Sequence, residues 1–411
     1  MDATAVSHAR RNVRLYYLYG FLMDFTLWGA IWIKYLIEDR GFELKWLLGM
    51  DLPFWLLVAV LQAPTGALAD HVGRKRVLAL AGAFFAVTIL GFGFASNYWM
   101  LFVDYLVWAV AQSLRSGADS ALVFDSLRAA GKESDFQRIA GRGFAVTIGS
   151  SLVAIALGGF LAEWLGLARV VQISAVTPLL AVLAALAMHE PASARVERRY
   201  LHGLSQGVSF AWHHPEVRYT LLIGSVLLAG TFGPVILMQP FLIKHDVATA
   251  LYGVYQAPLK VVSIGAAVVA FRVARRTGVP SLLIGACATI IGAYCALALV
   301  DAQVAFALFA LPALMTGLTR PVIDGYLNER IPSDRRATVL SIMSLVFALQ
   351  VAFFEPLLGQ FTDEISLTAA FVFAACYFVV LMPPLLFLWR RAQGSAPGGS
   401  VSMSAEAAVG N

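Results

Sequence analysis

Seven ionisable side chains, Asp24, Arg115, Asp119, Lys260, Arg320, Asp324 and Glu355, lie inside or at the edge of long apolar stretches. A charge at bilayer depth is costly and usually faces a partner, a cavity or water, so each is a candidate for moving protons or holding a solute. Asp24 stands roughly 14 Å along a helix from Leu15, near the middle of the first apolar run. Trp28 and Trp32 follow it on the same helical face. A carboxylate at that depth that keeps its proton until an opposite charge or water approaches can couple solute movement to protons. The alternative is an Asp satisfied by a fixed donor. Arg115 and Asp119 are four residues apart, as are Arg320 and Asp324. At 100° per residue the first pair shares a stripe with Asp104 and Trp108, and the second with Thr316. Either the arginines hold an anionic solute, or each is neutralised by the carboxylate one turn on. Lys260 shares a face with Gln256 and Ser263; Glu355 shares one with Ser341, Ser344 and Val351, precedes Pro356, and reads as an outer gate or an interfacial charge. Asp51 is close enough to the end of its stretch to snorkel to water.

The residue types that mark other chemistries are missing. No H-E-x-x-H, G-x-S-x-G, C-x-x-C or P-loop pattern occurs, and the histidines fall in loops or near the termini. Cys287, Cys295 and Cys376 sit in apolar runs as small packing residues. The reading is therefore no enzyme, no metal and no cofactor. A net charge of +5 raises the question of nucleic acid, but the basic residues are spread over alternate loops with no single patch.

These candidates must be held by helices in a bilayer. The chain is 59% hydrophobic and only 13% charged, outside the range of soluble globular proteins. Stretches of about 20 apolar residues, the length needed to cross a hydrocarbon core, recur along it. Five are free of charge, over 77–95, 170–188, 219–243, 280–300 and 367–389. Seven more run over 15–33, 47–68, 99–124, 144–162, 251–271, 302–323 and 337–361, most of them carrying ionisable groups. The expected fold is an all-α membrane protein of twelve transmembrane helices in two pseudo-symmetric six-helix bundles. Residues 1–188 form the first bundle, 189–216 a cytoplasmic linker with a short amphipathic helix, 217–391 the second bundle, and 392–411 a disordered tail rich in Gly, Ser and Ala. Lys and Arg concentrate in the loops on the side of the termini, which places both termini in the cytoplasm. The Arg-x-x-x-Asp element in both the fourth and tenth spans points to duplicated halves.

Between the second and third spans the chain reads Gly66-Ala-Leu68-Ala-Asp70-His-Val-Gly73-Arg74-Lys75-Arg76. With the twelve-span topology, this loop resembles the G-x-L-a-D-r-x-G-r-k signature of the major facilitator superfamily (MFS), departing at His71. The glycines would let two helix ends approach, and Asp70 can face the positive end of a neighbouring helix. The resemblance implies that this neighbour is the eleventh span. It also implies that Gly66, Asp70, Gly73, Arg74 and Asp125 form a conformational latch of the outward-open state. The corresponding loop of the second half, 272–278, lacks the aspartate.

The expected function is secondary active transport of a small amphipathic solute across the inner membrane by alternating access, as proton-coupled efflux through Asp24 and the tryptophans beside it. Two departures bear on this. Of the antiporter element G-P-x-x-G-G only Gly158 and Gly159 remain, and Arg115 precedes Gly117 where that group carries R-x-x-Q-G. Uptake of an organic anion by Arg115, Arg320 and Lys260 is the alternative, and a multispanning enzyme or receptor is the reading from another class. The partners expected are solute, protons and lipid, with the protein as a monomer.

Overall fold

A computed structural model of the chain describes residues 3–191, 209–332 and 336–394, and every described element is a helix. The first span is bent: Ala3–Asp24 gives way to a 3₁₀ turn, Leu27–Ala30, and then to Trp32–Lys34 and a π turn, Tyr35–Asp39, with 51° between its arms. A short helix, Leu44–Gly49, leads into the second span, Asp51–Val72. Gly73, at φ +100°, makes the reversal into the third, Arg74–Phe94. The fourth, Tyr98–Arg115, breaks at Gly117 (φ +76°) and resumes as Ala118–Ala129. The fifth is Phe136–Leu165, and the sixth is split into Leu167–Ile173 and Val176–Leu186. The second half consists of Pro215–Lys244, Tyr252–Thr277, Val279–Leu299, Ala310–Arg330, Arg336–Glu364 and Leu367–Gly394, the seventh to twelfth spans.

Among the described residues ten helices are long and apolar enough to cross a membrane, and the bent first span makes eleven. The fourth falls short because Asp104, Gln112 and Arg115 interrupt its apolar run. It packs on the second and third spans, with Asp104 buried and Gln112 exposed.

Within the first half the first span packs on the fifth and sixth, the second on the fourth, and the third on the sixth. The second half repeats these pairings six spans on: seventh on eleventh and twelfth, eighth on tenth, ninth on twelfth. Two bundles with the same internal plan follow. They meet through the fifth and eighth spans, and through the eleventh span against the second and against Leu44–Gly49. These contacts gather at the end of the molecule away from the termini, hereafter the far end. There Gly253 lies on the backbone of Ile155 and Ala156, and Gly359 on that of Leu44 and Lys45. The Lys45 N–H donates to Asp363 (2.7 Å), and its ammonium pairs with Glu43 and Glu364.

Most of the expected linker, including 203–208 of its amphipathic helix, and most of the tail lie outside the described residues; 209–213 is helical, and the twelfth span continues to Gly394.

Candidate functional site

The first span stops being an α-helix at Asp24, and that break separates the residues expected on one face. Asp24 turns to the fourth span, where its carboxylate pairs with the Arg115 guanidinium, while Trp28 and Trp32 line a cavity. Arg115 does not pair with Asp119 as the four-residue spacing implied. The helix breaks at Gly117, so Asp119 belongs to the first turn of a new helix, where its carboxylate accepts from the Ser120 N–H (2.6 Å). The tenth span has no such break across the equivalent residues, and Arg320 does bond to Asp324 (2.9 Å). Lys260 reaches across the seam between the halves to the Ser151 hydroxyl (2.8 Å), within the field of Asp24. Asp24, Arg115 and Lys260 therefore form one polar cluster; Arg320 and Asp324 stand apart from it, near a small void between the seventh, tenth and eleventh spans.

The cavity measures about 200 Å³ and is walled by seven aromatic rings, those of Trp28, Trp32, Phe85, Phe92, Tyr105, Trp108 and Phe232. Trp108 stands edge-on to Trp28 at 6.1 Å and packs on Phe54 at 4.8 Å, which fixes the wall. Two wall residues carry buried polar atoms without a partner, the Trp28 indole nitrogen and the Thr88 hydroxyl. Such atoms are rare in proteins and suit a solute that supplies the missing bond. Among the described lining residues Asp51 is the charged one, and no Lys, Arg or His is included. Asp51 thus turns into the cavity and not out to water, and its carboxyl meets that of Glu355, a fully buried residue of the eleventh span. Asp104, expected on the face of Trp108, points instead at Gly91 of the third span, whose missing side chain leaves it room.

At the end bearing the termini, Arg74 pairs with Asp125 and, at 3.6 Å, with Asp70, and donates to the Ala121 carbonyl (2.9 Å). This network ties the second, third and fourth spans of the first half together. Gly73 is required by its φ, whereas among the described residues no atom lies within 4 Å of a side chain placed at Gly66. The side chains that begin the eleventh span, and with them the partner expected for Asp70, lie outside the described residues.

Several participants carry no mark in the sequence. Glu190 caps the third span by accepting from the N–H groups of Arg74 (2.8 Å) and Lys75 (2.9 Å). Gln239 accepts from the N–H groups of Ile33 (3.0 Å) and Lys34 (3.2 Å), which the bend of the first span has released. Gln256 donates to the Ala30 carbonyl (2.9 Å) from the opposite half. Only polar residues within apolar runs could have flagged the two glutamines, and that signal names no partner.

A family model described as Major Facilitator Superfamily matches residues 15–349. No curated protein sequence matches the chain. Among solved structures, similarity extends to the nucleoside transporter NupG (TM-score 0.72, 15% identity, covering 94% of this chain and 100% of that one). It extends also to a bacterial homologue of the human lysosomal transporter Spinster, inward-facing and unoccupied (0.74, 14%, 97% and 100%). A D-xylose-proton symporter is similar as well (0.70, 14%, 93% and 98%). At these identities the likeness is one of fold.

Proposed function

The chain belongs to the major facilitator superfamily, and from that premise we propose that it exports a small, flat, amphipathic solute of neutral or positive charge across the inner membrane in exchange for protons. Membership establishes a multi-pass membrane transporter and points away from an enzyme. The substrate class rests on one observation: a cavity of seven aromatic rings whose charged wall residue is an acid. Aromatic faces attract flat apolar groups and cations, and a carboxylate adds to the second. The organic-anion alternative has less support, because Arg115 and Arg320 are each paired with a carboxylate and no base is among the described lining residues of the cavity.

Proton coupling is assigned to Asp24, whose protonation would release Arg115 and change the charge beside Lys260. With the termini in the cytoplasm, as the basic loops indicate, the halves are closed at the periplasmic end and the loading side is the cytoplasmic one. The Arg74 network then acts as the latch that changes when the halves rock. The working unit is the monomer.

The test is flux in proteoliposomes under an imposed pH gradient with an internal pH dye, screening cationic, neutral and anionic aromatic amphipaths beside Asp24→Asn. Proton movement opposite to the flux of a cationic or neutral solute, lost in the variant, supports the proposal. Proton movement in the same direction as the solute identifies a symporter, and flux without proton movement a facilitator; either outcome rejects antiport.

A further inference from the structure

Glu355 is completely buried, and no donor of good geometry reaches either of its carboxyl oxygens. What it meets is another carboxyl, that of Asp51, across the seam between the second and eleventh spans. Among the described residues the surroundings offer no compensating charge. From the fourth span comes the phenol of buried Tyr105, with Asp104 beyond it. The seventh span presents Phe232, Val235 and Ile236 to the same cavity, and the second and eleventh add the contact of Trp55 with Phe347. Lys45, on the short helix beside the eleventh span, is engaged with Glu43, Asp363 and Glu364. Among the described residues no Lys, Arg or His acts on either carboxyl.

Two ionised carboxylates in contact in a medium of low dielectric repel strongly, and nothing here offsets that repulsion. With one proton between them the same two groups form a short, charge-assisted O–H···O⁻ bond. We propose that Asp51 and Glu355 together bind one proton, and that this shared proton holds the far end of the two halves shut. The pair is an inter-half site: Asp51 belongs to the first bundle and Glu355 to the second, so they can share a proton only while the far end is closed. Asp51 also lines the cavity, which gives the proton a route to its water and lets a cationic solute act on the same carboxyl. Loss of the proton leaves two negative charges facing each other and drives the second span from the eleventh.

This deepens the transport reading, on which its role in coupling rests, but the gate can be measured without a solute. Trp99 and Val304 are exposed in far-end segments of opposite halves. Spin labels on Trp99→Cys and Val304→Cys, in a full-length chain with Cys287, Cys295 and Cys376 replaced by alanine, report far-end separation in lipid nanodiscs by double electron–electron resonance. As pH rises, the short-distance population should give way to a longer one. Glu355→Gln and Asp51→Asn should each retain the short distance throughout, while Asp24→Asn should still titrate. A wild-type distance that does not change with pH, or a change that persists in both neutralised variants, would overturn the proposal. If one variant does not reconstitute, the other and the wild-type titration decide. Far-end opening that titrates in a protein whose flux is not proton-coupled would retain the gate and reject antiport; proton-coupled flux with no titrating distance would do the reverse.

Discussion

Arg115 is bound to Asp24 of the first span and not to Asp119, four residues further along its own chain. The break at Gly117 makes the difference: its positive φ ends one helix and starts another, which carries Asp119 away from the guanidinium.

Removing the charge of Asp24 therefore leaves Arg115 without its counter-ion at mid-depth. Asp24→Asn is expected to lower stability by about 2 kcal/mol, the scale of a hydrogen bond to a charged group, and to abolish coupled flux. Asp119→Asn, which leaves that pair intact, should change flux by less than about twofold, a surface-like effect. Thermal unfolding and flux of both variants check this; greater damage from Asp119→Asn would refute the pairing.

Two glycines that look alike in the sequence should behave differently. A side chain at Gly253 would collide with the Ile155 carbonyl in the other half, and one at Gly317 with the Ser263 carbonyl in its own half. Gly253→Ala can escape by opening the far end, so it should raise reagent access to a cysteine placed at that end with little loss of melting temperature. Gly317→Ala has no such escape and should destabilise the second bundle by about 1–3 kcal/mol, the cost of overpacking. Equal loss of melting temperature in both variants would contradict the assignment of Gly253 to a separable seam.

The Arg74 guanidinium serves two carboxylates and a carbonyl at once. Lysine retains the charge but not the fork, so Arg74→Lys should slow flux by about tenfold, equivalent to one well-placed charged bond. Asp125→Asn should slow it comparably, and the double variant should add little to either, since both act on one contact. Fully additive losses in a double-mutant cycle would show that the two residues act separately.

Asp301 provides a pH control outside the spans. A hydrogen bond from the Lys244 ammonium (2.7 Å), helped by its charge, holds the Asp301 carboxyl below the usual carboxylate range. A depressed value means that any stabilisation is present above the ordinary carboxylate pKa of about 4 and is lost as pH falls through the lowered value. Between about pH 5 and 8 the Lys244 contribution is constant, and exposed pairs contribute little. Asp301→Asn should leave both the melting temperature and the pH profile of flux unchanged over that range; a shifted profile would bring this pair into the mechanism.

Apolar run length and loop charge determine the helical membrane class, and the spacing of Gly66 to Arg76 determines the family and the loop in which Arg74 finds Asp125. These are legible because hydrophobicity and local spacing act along the chain. The four-residue rule also identifies the Arg320–Asp324 bond, since that helix runs unbroken from one residue to the other. It fails for Arg115 and for the face shared by Asp24, Trp28 and Trp32, because helical periodicity says nothing once the helix stops, as it does at Asp24 and Gly117. Only the tertiary structure decides which sides of separate helices meet. That is why Asp51, which sequence position alone directs to water, faces Glu355 from the other half, and why Lys260 finds Ser151. Each helix can rotate about its axis at no cost to its own hydrogen bonds, so its orientation is settled by the fit of its neighbours.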